Sequence, residues 1–362
     1  MIATPPAGPQ QAIDAAAAGT SPGNSIRIEH LTHRYTGAET DALDALSLTA
    51  PAGRLTALLG PNGSGKSTLM RILSTRLAPS ARTSTPPPTI DLGGVDPLAN
   101  PGAARARIGV VFQNASVDDR LTAAENLTFQ GRLYGLGGVA LREAVAEGLR
   151  GAGLVGRGRD RVGGFSGGMR RRLEIAKAAM HRPAVLLMDE PATGLDPEAR
   201  AVVRDQLDRL CRAGTTVLMS THLMAAAEDA AQVIILCDGR TVASGSPAEL
   251  RMRLGVEVLT VEPAAGEAEP LEQALVAMAG RGRVHPGAGG LLVAAEHSEA
   301  AAAWLHRLSG ELRRLVHRVT WGPVSMREVY RVATASAPAA DTSSNDADAD
   351  TAPAELAPAP AA

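Results

Sequence analysis

Residues 55–67 read LTALLGPNGSGKS, and no other stretch restricts the fold so sharply. A short apolar run of strand size leads straight into Gly60-Pro61-Asn62-Gly63-Ser64-Gly65-Lys66-Ser67, which fits G-x-x-x-x-G-K-[ST] at every fixed position. Glycines let the backbone curl until successive N–H groups converge, and the N-terminus of the following helix adds its dipole, so the loop suits a phosphate. Lys66 supplies a mobile point charge and Ser67 a hydroxyl for Mg2+. An incidental Gly/Ser loop is the competing explanation. The strand before the loop, and a helix expected from Lys66 to about Leu77 and stopped ahead of Pro79, tell against it.

A phosphate loop needs a partner acid at the end of a buried strand, and VLLMDEP (185–191) offers one. Asp189 closes the apolar run and is placed to hold Mg2+ through its water shell. Glu190 follows at once, in position for an attacking water. A lone strand ending in acids would mean little; paired with the upstream loop it completes a nucleoside-triphosphatase pattern.

Around these two motifs the chain alternates. IRIEHL (26–31) and ALSLTA (45–50) read as paired strands, IGVVFQ (108–113) and TTVLMS (215–220) as further strands, and VIILCDGRTVASG (233–245) as a hairpin about Asp238-Gly239. Helices are expected from the Thr122–Glu125 capping box to the glycines at 135, 137 and 138, then at 141–150, 168–181 and 197–212. Such alternation implies a largely parallel core sheet. After about residue 255 the pattern becomes strand, helix, two short strands, helix, strand, helix, which predicts a compact unit of split βαβ type.

Composition narrows the function classes. A net charge of −2 gives no global attraction to nucleic acid, and 2% aromatic residues leave little for stacking single strands. Two cysteines, Cys211 and Cys237, cannot make a disulfide framework. No apolar run approaches membrane-span length, and the N-terminus lacks a basic-then-apolar leader. Residues 1–24 are rich in Pro, Ala and Gly. Residues 335–362 hold five acids and no Lys or Arg. Both are expected to be disordered tails.

With these motifs assembled, the chain from about 26 to 250 resembles the nucleotide-binding subunit of an ATP-binding cassette (ABC) transporter. FSGGM (165–169) is similar to that family's signature motif, with Phe165 and Met169 replacing its commonest Leu and Gln. The Met variant followed by arginines resembles the branch serving ABC-2-type exporters, including daunorubicin-type resistance pumps. ATGLDP (192–197) resembles the D-loop, with Asp196 as its acid. His222 matches the switch histidine, Gln113 the Q-loop glutamine, and Tyr35 the aromatic that stacks on adenine; an interfacial core role for Tyr35 is the alternative.

The resemblance implies a P-loop α/β cassette with a mixed core sheet, an antiparallel β subdomain and a helical subdomain over about 114–181. The cassette would span 25–250 and be followed by a small α+β domain at 255–334. It places ATP on Tyr35, on the loop residues Gly60, Pro61, Asn62, Gly63, Ser64, Gly65, Lys66 and Ser67, and on Thr68. Mg2+ falls to Ser67, Gln113 and Asp189, and catalysis to Glu190, His222, Lys66 and Gln113. Ser166, Gly167, Gly168 and Met169 would contact the ATP of a second cassette, so a homodimer or a heterodimer with a related subunit is implied. The implied partner is a separate ABC-2-type permease contacting 114–134, which would hold the chain on the cytoplasmic face of the membrane; nucleic acid is not an expected partner. A soluble, non-transport ABC ATPase acting as a regulator or in translation is the alternative. For at least two of Arg170, Arg171 and Arg172 the expectation is a solvated basic face. The Pro-rich stretch ARTSTPPPTIDLGG (81–94) departs from the family's Gly-containing hairpin, so a rebuilt sheet edge is expected there.

Overall fold

The computed structural model describes residues 23–80, 86–113, 116–287 and 290–335. Its centre is a six-stranded sheet in the order β5-β6-β7-β3-β8-β9. The strands are β3 (Leu55–Leu59), β5 (Ile108–Val111), β6 (Val185–Asp189), β7 (Thr216–Thr221), β8 (Gln232–Cys237) and β9 (Arg240–Gly245). All neighbours pair in parallel except β8 with β9. Strands β3 and β7 are buried along their whole length, which explains why they read as continuous rather than alternating runs. At the β8–β9 turn Asp238 and Gly239 both take positive φ, 47° and 73°, the requirement of a tight primed hairpin.

A second, antiparallel sheet in the order β2-β1-β4 pairs β1 (Ile26–His33) with β2 (Leu43–Ala50) and with β4 (Thr89–Leu92). Strand β4 lies inside the Pro-rich stretch. Its Ile90 and Leu92 are buried against the Ile26/Ile28 face, so an ordinary edge strand closes this sheet. Residues 81–85 of the stretch fall outside the described residues.

Helix α1 (Lys66–Leu73) is shorter than expected. Thr75 adopts φ 59°, and Arg76 and Thr75 donate to the carbonyls of Arg71 and Ile72 at 2.9 Å each. That is a Schellman closure with threonine where glycine is usual, and nothing in the local pattern announces it. Helix α2 (Pro101–Arg107) starts on an Asn100 cap with proline in the first turn, a signal present in the sequence.

The helical part contains α3 (Ala123–Leu133), α4 (Gly138–Gly151) and α5 (Gly167–Ala179), wrapped around Leu127, Leu154, Phe165 and Leu173. The capping box at Thr122 and Glu125 forms as its spacing predicts. Gly138 begins α4 instead of ending α3; Gly135, at φ 77°, makes the break. Helices α6 (Pro197–Arg212), α7 (Met224–Glu228) and α8 (Pro247–Leu254) complete this part, with Ser246 and Glu249 forming a second capping box.

The remaining strands are β10 (Glu257–Pro263), β11 (Val284–Gly287), β12 (Gly290–Ala295) and β13 (Val316–Pro323). They form an antiparallel sheet in the order β11-β12-β10-β13. Its crossings pass through α9 (Ala268–Ala279) and α10 (Ser298–Ser309), giving a split βαβ arrangement. Leu271, Leu275, Ala301 and Leu308 of these helices cover the face that carries Leu259 and Val293. The final helix, α11 (Met326–Ala335), sends Met326 and Val329 into the cluster that holds Met188, Met219 and Ile235 of the central sheet. Among the described residues no helix is long and apolar enough to cross a membrane.

Candidate functional site

The chemistry gathers at the carboxyl ends of β3, β6 and β7. Gly65 caps α1 at φ 97°, and a Cβ there would stand 2.5 Å from the Ala42 carbonyl oxygen. At Gly60 a Cβ would meet the Leu236 carbonyl oxygen at 2.5 Å, so the loop packs where only glycine fits. The Lys66 side chain is buried and its Nζ donates to the carbonyls of Gly60 and Pro61 at 2.9 and 2.8 Å. Burial pulls the Lys66 ammonium below the ordinary lysine value, and the Glu190 and Asp189 carboxylates act in the opposite direction.

Parallel pairing sets Asp189 opposite Ser220. The Ser220 hydroxyl donates to Asp189 Oδ1 at 2.5 Å and accepts from the Glu190 N–H at 3.0 Å. Glu190 turns the chain with φ 51°, and its Oε2 meets His222 Nδ1 at 2.9 Å and the Thr193 hydroxyl at 3.1 Å. Glu190, Thr193, His222 and Lys66 share a cleft of about 430 Å3 with Asn62, Gly63, Gly65, Ser67, Thr68 and Gln113. Ser220 and Thr193 were not anticipated from the sequence. Their positions come from strand register and from a turn that brings residue 193 back on residue 190.

Tyr35 stands beside the cleft. Its hydroxyl lies 3.1 Å from Thr68 Oγ1, its ring meets His33 edge-on at 4.7 Å, and it is 38% exposed. Gln113 follows Phe112, which is held on both sides: Arg76 lies over its ring at 4.6 Å and Arg171 donates to its carbonyl at 3.1 Å.

The signature residues lie elsewhere. Ser166 caps α5, accepting from Met169 N–H at 3.3 Å, while Asp196 caps α6, accepting from Ala199 N–H at 2.7 Å. The two helix starts touch, since a Cβ on Gly168 would come within 2.8 Å of Ala199 Cβ. Ser166, Gly167 and Asp196 are exposed, and neither they nor Gly168 and Met169 line the cleft. The three arginines that follow do not form a solvated face. Arg170 donates to Gly163 O and Arg172 to Ala152 O, each at 3.0 Å, and Arg171 pairs with Glu174 at 2.8 Å. Carbonyls and the Glu174 and Asp119 carboxylates therefore absorb the positive charge that would otherwise oppose the α5 dipole.

The donors around the cleft are hard oxygens: the Ser67 hydroxyl, the Gln113 amide oxygen and the Asp189 carboxylate. Among the described residues no three His, Cys, Asp or Glu side chains gather to hold a metal. Sparse oxygen donors beside a phosphate loop fit Mg2+, which completes its shell with water and substrate phosphates. Parallel sheet, phosphate loop, strand-end acid and adjacent glutamate together define a P-loop nucleoside triphosphatase.

Comparison with known proteins narrows the class. The family model "ABC transporter" matches residues 43–193. The chain is 44% identical over 242 residues to the daunorubicin/doxorubicin resistance ATP-binding protein DrrA of Streptomyces peucetius, covering 66% of this chain and 71% of that protein. It is 37% identical over 274 residues to the Nod factor export ATP-binding protein I of Cupriavidus metallidurans, covering 73% and 88%. Two solved structures share the fold at 26% identity. An ATP-binding subunit of an ABC transporter superposes with TM-score 0.55 over 63% of this chain and 92% of that one. The cbiO1 protein of Clostridium perfringens does so with TM-score 0.58 over 63% and 90%. The chain belongs to the ABC transporter ATP-binding family, on the exporter side of that family, and is an ATP-binding and ATP-hydrolysing subunit.

Proposed function

We propose that this subunit drives an ABC-2-type permease by closing head to tail on a second cassette around two ATP molecules. The observation that carries the reading is the separation just described. Ser166, Gly167 and Asp196 are exposed, and neither they nor Gly168 and Met169 line the cleft that holds Lys66 and Glu190. A cleft so built is completed by another copy, or by a related subunit, bringing its own α5 N-terminus to the γ-phosphate.

In this reading the loop N–H groups and Lys66 grip the β- and γ-phosphates while Tyr35 stacks on adenine. Mg2+, held by Ser67, Asp189 and Gln113, would neutralise charge on those phosphates. Glu190 orients and deprotonates the attacking water, and His222, with Nδ1 2.9 Å from the same carboxylate, faces the γ-phosphate. Lys66 stabilises the charge that develops in transfer. Residues 25–250 are the motor, 255–334 a small appended domain, and the permease meets 114–134. The last assignment is supported by helix α3, where Phe129 is 57% and Leu133 66% exposed, an apolar surface awaiting a partner. That permease would hold the subunit on the inner face of the cell membrane. Residues 114 and 115, and the tails at 1–22 and 336–362, lie outside the described residues.

The test is Glu190→Gln. Hydrolysis should fall by about 10²–10⁴, the usual worth of a general base. ATP binding should persist, and an ATP-dependent dimer should accumulate in size-exclusion with light scattering. Unchanged turnover would remove Glu190 from the role of base.

A further inference from the structure

A second and larger cavity, about 950 Å3, opens at the other end of β6 and β7. Pro183 and Ala184 lead into β6 there, and Gly214 and Thr215 lead into β7. Its walls come from α2, α4, α5 and α6. Its volume falls in the range of small-molecule sites, about 300–1,000 Å3.

Floor and rim differ in character. The floor is buried and mostly apolar: Ala176, Met180 and Thr215 are each under 9% exposed, and Gln206 is 4% exposed. The Thr215 hydroxyl is committed to the Pro183 carbonyl at 3.0 Å. Gln206 spends its Nε2 on the Arg172 carbonyl at 3.1 Å, and its buried Oε1 has no hydrogen-bond partner among the described residues. A buried acceptor without a donor is costly, and natural structures seldom leave one. The rim carries Arg107, Arg150, Arg182 and Arg209 against, among the described residues, a single carboxylate, Glu147, paired with Arg182 at 3.1 Å. The cavity thus combines excess positive charge at its mouth, an apolar floor and one free acceptor.

We propose that this cavity is a ligand site separate from the nucleotide cleft, taking a small organic anion with an apolar body and one N–H or O–H donor. The anionic group meets the arginine rim, the body lies over Ala144, Ala176 and Met180, and the donor reaches Gln206 Oε1. Two of its walls are the helices whose opposite ends display Ser166 and Asp196, so a ligand there would set the angle at which those ends are presented.

The probe is 8-anilinonaphthalene-1-sulfonate, which has a sulfonate, fused rings and one anilino N–H. Titrated into the full chain and followed by fluorescence, it should bind saturably at one site and resist displacement by MgATP. Gln206→Leu should weaken binding about fivefold, the worth of one hydrogen bond. Arg182→Ala with Arg209→Ala should weaken it at least about tenfold, as charge-assisted contacts are lost. Ala144→Phe, which fills the cavity and leaves its charge alone, should abolish binding, with thermal melts confirming that each variant folds. Displacement by MgATP would overturn the proposal, as would equal affinity in all folded variants. So would binding that appears only after removal of residues 1–22, because the segment ahead of Asn24, itself a wall residue, would then be the occupant.

Discussion

Glu190 occupies left-handed backbone space, φ 51°, at a cost of order 1–3 kcal/mol for a side chain with a β-carbon. Ser220 holds it there, since its carbonyl and hydroxyl both accept from the Glu190 N–H, at 3.2 and 3.0 Å. Ser220→Ala removes the hydroxyl and also the donor on Asp189. We expect kcat to fall by about tenfold from a displaced carboxylate, with the Kd for ATP nearly unchanged; steady-state hydrolysis and equilibrium binding on one preparation separate the two. Asp189 and Glu190 were legible in the sequence because an apolar run ends on them. Ser220 was not, because its role depends on which residue of a neighbouring strand falls opposite residue 189. His181 offers a pH test at the same scale. Burial lowers its pKa below the ordinary value, while its contact with the Ile108 carbonyl, at 3.0 Å, acts the other way. Below about pH 6.5 the unfolded chain then binds more protons than the folded one, so this residue's contribution is complete above that pH and declines beneath it. Urea midpoints at pH 7.5 and 5.5 should show His181→Gln losing less stability on acidification than the wild type does.

Helix α5 does more than present a signature. Besides Arg171 on the Phe112 carbonyl, Glu174 accepts from the Ser116 N–H at 2.8 Å and Lys177 donates to the Ser116 carbonyl at 2.5 Å. One helix thereby grips the segment on both sides of residues 113–115. The Arg171–Glu174 pair is nearly sealed from solvent, with side chains 11% and 3% exposed, and burial raises the Glu174 carboxyl above its usual range while Arg171 opposes the shift. Removing one partner strands the other, so Arg171→Ala should destabilise the protein by about 3–5 kcal/mol. The double variant Arg171→Met/Glu174→Leu should recover much of that loss in urea unfolding, while a purely additive double variant would show that the pair is not coupled. Sequence pattern located this helix to within two residues at each end, yet suggested a solvated face for two or more of its arginines. Three consecutive cations resemble a surface when only the chain's own periodicity is visible; their partners at 112, 152 and 163 come from other segments. Strand β4 was hidden for a related reason. Four residues beside three prolines carry too little pattern, and only the exposed edge of β1 makes them a strand.

At the scale of the molecule, the central and small sheets share one apolar cluster, and the last helix is seated in it. Met326 is fully buried, in the same cluster as Leu59, Met188 and Ile235 from the central sheet and Val258 and Leu292 from the small one. Met326→Ala should therefore cost about 2–5 kcal/mol and lower the thermal midpoint of the nucleotide-binding part along with that of the small sheet; a midpoint that moves for the small sheet alone would refute a shared core. The order of elements beyond residue 255 was readable because each alternates cleanly, whereas the seat of α11 was not, since an amphipathic helix does not name the surface it covers. That seat has a consequence for modularity. The chain enters the small sheet at Val256 and leaves it at Val324, and these two residues are hydrogen-bonded neighbours, Val324 N–H to Val256 O at 3.3 Å. The chain therefore enters and leaves the small sheet at one point, and a splice there would excise the sheet and still deliver α11 to its place, leaving open the part of the shared cluster that Val258 and Leu292 fill. The small sheet is an inset whose content can vary so long as two apolar side chains still reach that cluster, while the helix that follows it is a fixed part of the motor.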